Sequence, residues 1–173
     1  IRAKSAYNAK IDILKHLKKH EVFVLSDYSS KLELKSYLLK TAEQSFKIEN
    51  EVSIITMHIP DNNTREKYKE TWEKYNLDEV FPSKEENSNE KVNICIQVMC
   101  DNSTLVPAHT ISCMKIVMQE IKVRFPWITS AHRDTDEVSY YSGYEFLHLL
   151  YKYNKSEYKK SPESRLIVGF RTG

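Results

Sequence analysis

The chain has 173 residues, of which 40% are hydrophobic and 29% are charged, a composition typical of one folded domain rather than of a disordered chain. It contains three glycines, Gly143, Gly169 and Gly173, so glycine-rich phosphate-binding loops of the Rossmann and P-loop kinds are excluded. The 26 basic and 24 acidic residues give a net charge of +2. A surface for nucleic acid would therefore have to be a local basic patch.

No apolar run approaches the roughly 20 residues of a membrane span, and the opening segment IRAKSAYNAK lacks the apolar core of a signal peptide. We therefore expect an intracellular protein, cytoplasmic or nuclear. The cysteines Cys95, Cys100 and Cys113 show no C-x-x-C spacing. We expect them to be reduced thiols of the core.

The first half of the chain predicts one helix and two strands before a change in composition. Apolar residues recur at helical spacing over 6–19, which predicts a basic amphipathic helix. The unbroken apolar run Val22–Leu25 predicts a strand buried on both faces and therefore central in its sheet. Residues 31–48 are ambiguous, and a second strand is predicted over 51–59, where turn-forming residues follow.

Residues 61–91 have few aliphatic side chains, which predicts a surface insertion between strands. Within this insertion, a short helix is predicted over Thr64–Tyr75. The strict alternation of apolar and polar residues over 92–99 predicts a half-buried strand.

The second half of the chain alternates between helix and strand patterns. A helix of about four turns is predicted to start after the capping residues 101–104 and to end before Pro126. A strand over 127–132, a helix over 140–153 and a strand over 165–170 follow. This order predicts an α/β fold with a mixed sheet covered by helices on both faces.

Two aspartates, Asp27 and Asp136, follow predicted strands in comparable places. Ligands bind at strand ends in open α/β sheets, and two converging carboxylates there can bind Mg²⁺ or Mn²⁺. Asp134 is a reserve candidate, because it lies two residues earlier on the same side of an extended strand. The alternative is structural: Asp27 starts a turn, and Asp134 or Asp136 caps the next helix.

Tyrosines alternate with lysines near the C-terminus, a pattern that can stack with bases and neutralise phosphates. The lysines are Lys152, Lys155, Lys159 and Lys160. The alternative is that the aromatic stripe of this helix packs inward while the lysines keep the rest of the helix solvated. The stripe consists of Tyr144, Leu147 and Tyr151.

Four segments together resemble the RNase H-like core of DDE-type transposases, in the retroviral integrase superfamily. They are VFVLSDY, EVSIITMHI, VNICIQVMCD and FPWITSAHRDTDEVSYYSGYEFLHLLYK. More closely, these segments resemble transposon-derived proteins of animal genomes in which an S-D-G motif, followed by a serine and an aromatic residue, closes the fourth strand. The resemblance covers the chain from about residue 20 to its C-terminus and implies a single RNase H-like domain.

By position, the resemblance makes Asp27 the first metal-binding carboxylate and Asp136 the second, while Glu137 stands where the family has glycine. It implies Mg²⁺ or Mn²⁺ as cofactor and two-metal phosphoryl transfer on DNA as the reaction. It also implies a third acid on a helix beyond the fifth strand. We therefore expect this chain to stop before that acid, at Gly173.

The resemblance leaves two functions open. The first is a DDE-type polynucleotidyl transferase or nuclease core, or a fragment of one. The second is a non-catalytic, domesticated descendant that binds DNA or another protein. An unrelated α/β domain with no role on nucleic acid is a weaker third reading. We expect the chain alone to bind DNA weakly without cleaving it, and the sequence leaves a homo-oligomer open.

Overall fold

A computed structural model describes residues 2–28, 32–34, 46–48, 50–82, 90–99, 106–135 and 143–172. The helices are α1 (Arg2–Lys15), α2 (Asn62–Lys67), α3 (Lys69–Lys74), α4 (Pro107–Arg124) and α5 (Tyr144–Tyr158). The strands are β1 (Glu21–Tyr28), β2 (Leu32–Leu34), β3 (Phe46–Ile48), β4 (Asn50–His58), β5 (Lys91–Met99), β6 (Ser130–Thr135) and β7 (Ile167–Thr172).

The main sheet has five strands in the order β5-β4-β1-β6-β7. β4 is antiparallel to both β1 and β5, whereas β1, β6 and β7 are parallel to one another. β2 and β3 form a separate antiparallel pair. With that pair set aside, the strand order is 3-2-1-4-5, which is RNase H-like topology. The predicted mixed sheet and the central position of the first strand are confirmed.

The two faces of the sheet carry different kinds of side chain. Val22, Val24 and Ile55 are fully buried and belong to the core under α4 and α5, so we name this side the α4/α5 face. Because side chains alternate along a strand, Phe23 and Asp27 point to the opposite side. Lys10 of α1 reaches that side, which we name the α1 face.

α4 supplies much of the core of the α4/α5 face, and its apolar residues recur at the predicted intervals of three and four. They are Ile111, Met114, Val117, Met118 and Ile121. Pro107 occupies the first turn, where its missing N–H costs nothing, and the helix ends before Pro126 as predicted. The predicted capping residues 101–104 lie outside the described residues.

Several predicted boundaries were wrong. The first helix covers Arg2–Lys15 rather than 6–19. The strand predicted over 127–132 is Ser130–Thr135, because Trp127 and Ile128 belong to the turn that follows α4. The helix predicted over 140–153 continues to Tyr158.

The segment between β4 and β5 contributes to the core, although its composition indicated a surface insertion. Trp72, Leu77 and Phe81 are buried. The Trp72 and Phe81 rings lie 6.0 Å from the Trp127 ring, and Phe81 meets Phe125 edge-on at 5.7 Å. The helix predicted over Thr64–Tyr75 is interrupted at Tyr68 and forms α2 and α3.

The cysteine prediction was correct for Cys113, which is buried, and wrong for Cys95, which is exposed. Cys95 lies on an odd-numbered position of β5, and these positions point away from the α4/α5 face. Cys100 lies outside the described residues. Among the helices of the described part of the chain, we find none with the length and apolar character needed to cross a membrane.

We expect Phe81→Ala to lower the free energy of unfolding by about 3 kcal/mol, because it removes a fully buried ring that the neighbouring aromatic rings cannot replace. Urea denaturation followed by tryptophan fluorescence would measure the loss. Val123→Ala, at a position that is 40% exposed on α4, is the control and should change stability by no more than about 0.5 kcal/mol. Equal effects of the two substitutions would show that residues 62–82 are not part of the core.

Candidate functional site

The sequence-predicted Asp27 lies at the carboxyl end of β1, beside the carboxyl end of β6. These strands are parallel, and Leu25 is the register partner of Asp134. Asp27 lies two residues beyond Leu25 and therefore points to the same face as Asp134. Ladder spacings separate the two Cα atoms by about 8 Å, so the fold brings the two acids to one end of the α1 face.

Asp27 is exposed, as a residue that binds an external ligand should be. Asp136, the predicted second acid, lies outside the described residues. The pair of Asp27 and Asp136 therefore stays a prediction. The reserve candidate Asp134 lies within the described residues, and its surroundings differ from those of Asp27.

Asp134 is almost completely buried and forms an ion pair with a lysine from α1. Its Oδ2 atom lies 2.7 Å from Nζ of Lys10. The side chain of Lys10 is 34% exposed and that of Asp134 is 1% exposed, so the ammonium covers the carboxylate from the solvent side. Lys10 thus supplies the positive charge that a divalent cation would otherwise provide.

This pairing decides how well the described residues fit a metal ion. A carboxylate oxygen binds Mg²⁺ at about 2.1 Å, and an ammonium 2.7 Å from Oδ2 leaves no room for that ion beside it. Within the described ranges, no group of three or more His, Cys, Asp or Glu side chains is arranged to hold a metal. Asp27 fits the role of a metal ligand, whereas Asp134 does not fit it while Lys10 is in place.

A second charged pair is buried on the α4/α5 face at the same end of the sheet. Nη2 of Arg133 lies 3.5 Å from Oε1 of Glu51, and both side chains are almost completely inaccessible to solvent. The guanidinium of Arg133 is also 5.6 Å from the ring of Phe146 in α5. The pair therefore connects β6 and β4 across the central strand and under a helix.

Two small residues lie between the partners of this pair on the same face. The hydroxyl groups of Ser26 and Ser53 are 2.8 Å apart and buried. Larger side chains at these positions would fill the space through which the Arg133 side chain reaches Glu51. The small serine side chains of β1 and β4 thus leave space for the pair, and their buried hydroxyl groups form a hydrogen bond with each other.

Burial raises the pKa of Glu51 to about 7, even though the Arg133 guanidinium acts in the opposite direction. The negative charge of Asp27 raises the pKa of Glu51 further. Glu51 therefore gains or loses its proton near neutral pH. This couples the ionisation of the buried pair to the charge of the exposed acid at the end of β1.

Sequence reasoning missed three residues of this charged cluster: Lys10, Glu51 and Arg133. The alternation of side chains along the strands could have indicated two of them. Glu51 lies on the same side of β4 as the buried Ile55, and Arg133 lies on the same side of β6 as the buried Ala131. A charged residue at a position that alternation places inside is a candidate for a buried pair. No local pattern marks Lys10, whose partner is distant in the sequence.

All four predicted nucleic-acid lysines are exposed, and they lie in the C-terminal part of α5 or just beyond it: Lys152, Lys155, Lys159 and Lys160. Lys160 differs, because its Nζ lies 2.6 Å from Oε1 of Glu157. Burial raises the pKa of Glu157, but Lys160, the Leu166 backbone N–H and Lys122 outweigh that effect and lower it overall. Lys160 therefore belongs to an internal charge network.

The alternative that the aromatic stripe of this helix packs inward was wrong. Tyr144 is 88% exposed, Tyr151 is 61% exposed and Leu147 is 44% exposed. The buried residues of α5 are Phe146, Leu150 and Glu157. The tyrosines lie on the solvent side because the helix is rotated so that Phe146 and Leu150 meet the core.

Comparisons of the chain with protein-family models, with curated proteins and with solved structures find no match. The RNase H-like topology therefore rests on the strand order and register. The resemblance to transposases stays a prediction from the sequence motifs.

We expect Lys10→Met to lower the free energy of unfolding at pH 7 by about 2 kcal/mol, because it leaves the buried Asp134 carboxylate without its cation. Urea denaturation at pH 7 would measure the loss. Lys15→Met, at an exposed position of the same helix, is the matched control. Equal stabilities of the two variants at pH 7 would contradict the role given to Lys10.

Glu51 should make stability depend on pH. Because its pKa is raised in the folded state, unfolding releases its proton between about pH 4.5 and pH 7, and this contribution to stability falls as pH rises through that range. Glu51→Gln removes this loss. Relative to the parent protein, the variant should gain up to about 3 kcal/mol between pH 5 and pH 8.

Denaturation at several pH values would measure this difference, with Glu66→Gln as a control at an exposed position. Other ionisable groups titrate in both proteins, so their contributions to the free energy of unfolding cancel in the comparison. A difference that stays constant with pH would show that Glu51 keeps one protonation state throughout.

Proposed function

We propose that this chain is the RNase H-like core, or part of the core, of a DDE-type polynucleotidyl transferase of transposon origin that acts on DNA. The observation that carries the proposal is the position of Asp27. It is an exposed carboxylate at the carboxyl end of the central strand, in a sheet whose strand order is RNase H-like. The sequence motifs that resemble transposases support the same class of function.

In this proposal, Asp27 and Asp136 are metal ligands and the cofactor is Mg²⁺ or Mn²⁺. Hard divalent cations prefer carboxylate oxygens, and Asp27 is the donor that the described residues contribute. Asp134 is left out of the ligand set because Lys10 holds it. Its buried ion pair instead fixes the end of β6 against α1.

A second candidate function is a non-catalytic descendant that keeps the fold for binding. The specific observation that favours it is the same ion pair of Lys10 and Asp134. An internal cation at the acid cluster stabilises the fold in the absence of metal, which an enzyme that depends on a metal does not need. Metal binding by Asp27 separates the two candidates.

We expect the protein to bind Mn²⁺, and we expect Asp27→Asn and Asp136→Asn each to weaken that binding at least about tenfold, because each removes one anionic ligand. Titration followed by electron paramagnetic resonance of free Mn²⁺ would measure the affinity. Asp12→Asn, at an exposed position of α1, is the matched control and should bind as the parent does.

DNA cleavage assays with Mn²⁺ on the same variants complete the test. Cleavage that Asp27→Asn abolishes would establish the enzymatic function. DNA binding without Mn²⁺ binding would favour the non-catalytic candidate. Absence of both at low salt would reject a role on nucleic acid.

A further inference from the structure

The outer side of α5 carries an exposed row of aromatic and apolar residues that runs alongside a row of lysines. Together they form a surface that we name the aromatic-basic face. Its members are Tyr144, Leu147, Tyr151, Tyr158, Lys152, Lys155 and Lys159. Tyr144, Tyr151 and Tyr158 are each seven residues apart, which is close to two helical turns, so their rings follow one line at intervals of about 10.5 Å.

The opposite side of α5 is firmly attached to the sheet. The Asn154 side chain donates to the Val168 carbonyl at 2.8 Å and accepts from the Val168 backbone N–H at 3.0 Å. The Tyr153 hydroxyl donates to the Leu166 carbonyl at 3.1 Å. Because these bonds and the buried Phe146 hold the helix, the aromatic-basic face is not needed to anchor it.

The aromatic-basic face is net positive, with three lysines against the exposed Glu145 in the first turn of the same helix, and two cations lie close to its rings. Nζ of Lys155 is 6.0 Å from the centre of the Tyr151 ring, and Cζ of Arg165 is 5.3 Å from the centre of the Tyr158 ring. Within the described ranges, Lys152, Lys155 and Lys159 form no ion pair with an acid. The acid nearest to them in sequence, Glu157, is buried and holds Lys122 and Lys160 instead. A polyanion therefore complements this surface.

We propose that the aromatic-basic face binds single-stranded nucleic acid, with phosphates beside the lysines and unpaired bases stacked on Tyr151 and Tyr158. A row of exposed rings beside a row of cations is the arrangement with which proteins bind single strands without sequence preference. In a duplex the bases are already stacked on one another, so they cannot stack on the tyrosine rings and the lysines contact only phosphates. The rings therefore favour a single strand.

This inference rests on the proposed function for the class of ligand, but it concerns a different surface. α5 packs on the α4/α5 face of the sheet, whereas Asp27 points to the α1 face. A strand bound on α5 is therefore held on the other side of the sheet from the acid site. It would serve to retain the nucleic acid rather than to position the reacting phosphate.

The experiment is fluorescence anisotropy with a labelled 20-nucleotide oligo(dT) and a duplex of the same length, in EDTA at low salt. We expect the single strand to bind more tightly than the duplex. Tyr151→Leu with Tyr158→Leu should weaken binding of the single strand about tenfold or more, because leucine keeps apolar surface but cannot stack. Binding of the duplex should change little.

A charge variant gives an independent readout. Lys152→Gln, Lys155→Gln and Lys159→Gln together should reduce the slope of log affinity against log salt by about 2, from three fewer phosphate contacts to a single strand. Lys69→Gln, Lys91→Gln and Lys115→Gln remove the same charge from exposed positions elsewhere and are the matched control. Equal slopes for the two triple variants would overturn the proposal.

Two further results would also overturn it: unchanged oligo(dT) binding in the double leucine variant, or no binding by the parent protein even at low salt. The second result would favour a protein partner that contacts the apolar part of the face. Because the assay contains EDTA, it is independent of the acid site. Loss of Mn²⁺ binding with retained oligo(dT) binding would reject the enzymatic function and keep this inference.

Discussion

The structure depends on the pairing of β1 on both of its edges, antiparallel to β4 and parallel to β6. A strand placed in this way has no free edge, and its side chains alternate between the α4/α5 face and the α1 face of the sheet. Its carboxyl end meets the carboxyl end of β6 on one side and the amino end of β4 on the other. Charged residues that end or begin these strands are therefore brought to one place: Asp27 from β1, Asp134 and Arg133 from β6, and Glu51 from β4. The acid cluster is a consequence of strand order rather than of any contiguous motif.

The charged side chains buried at this end of the sheet need partners of opposite charge, and each face supplies one such ion pair. Among the described residues, this end of the sheet brings together the acids Asp27, Glu51 and Asp134 and the bases Lys10 and Arg133. Lys10 pairs with Asp134, and Arg133 pairs with Glu51. A buried carboxylate is costly when its partner is removed, so each base is tied to the acid on its own face. The raised pKa of Glu51 shows that Arg133 alone does not offset the cost of burial.

The sequence predicted much of the fold because apolar periodicity and turn residues are local signals. β1, β4, β5 and α4 lie where their patterns placed them, and the order of the predicted elements indicated a mixed sheet. The RNase H-like strand order was implied by the resemblance to transposases. The predictions were wrong where tertiary contacts decide the outcome. The sequence marked one stripe of α5, Tyr144, Leu147 and Tyr151, as the side that could pack inward, whereas the core contains Phe146 and Leu150. Similarly, Asp27 and Asp136, with Asp134 in reserve, were predicted from their positions at strand ends. Lys10 reaches Asp134 from a helix that precedes the sheet, which no local pattern could indicate.

The ammonium of Lys10 also affects whether Asp134 could bind a metal ion. A metal site of carboxylates in an empty state accumulates negative charge, and an internal ammonium relieves that repulsion as long as it stays beside the acids. For Asp134 to bind a divalent cation, the ammonium of Lys10 would have to leave the Asp134 carboxylate. That requires either a movement of α1 or a turn of the Lys10 side chain toward solvent. Asp27 differs from Asp134 because it is exposed and lies two residues beyond Leu25, the residue opposite Asp134. The two aspartates therefore differ in their surroundings even though they share a face: Asp134 is buried and paired with Lys10 of α1, whereas Asp27 is exposed at the end of β1.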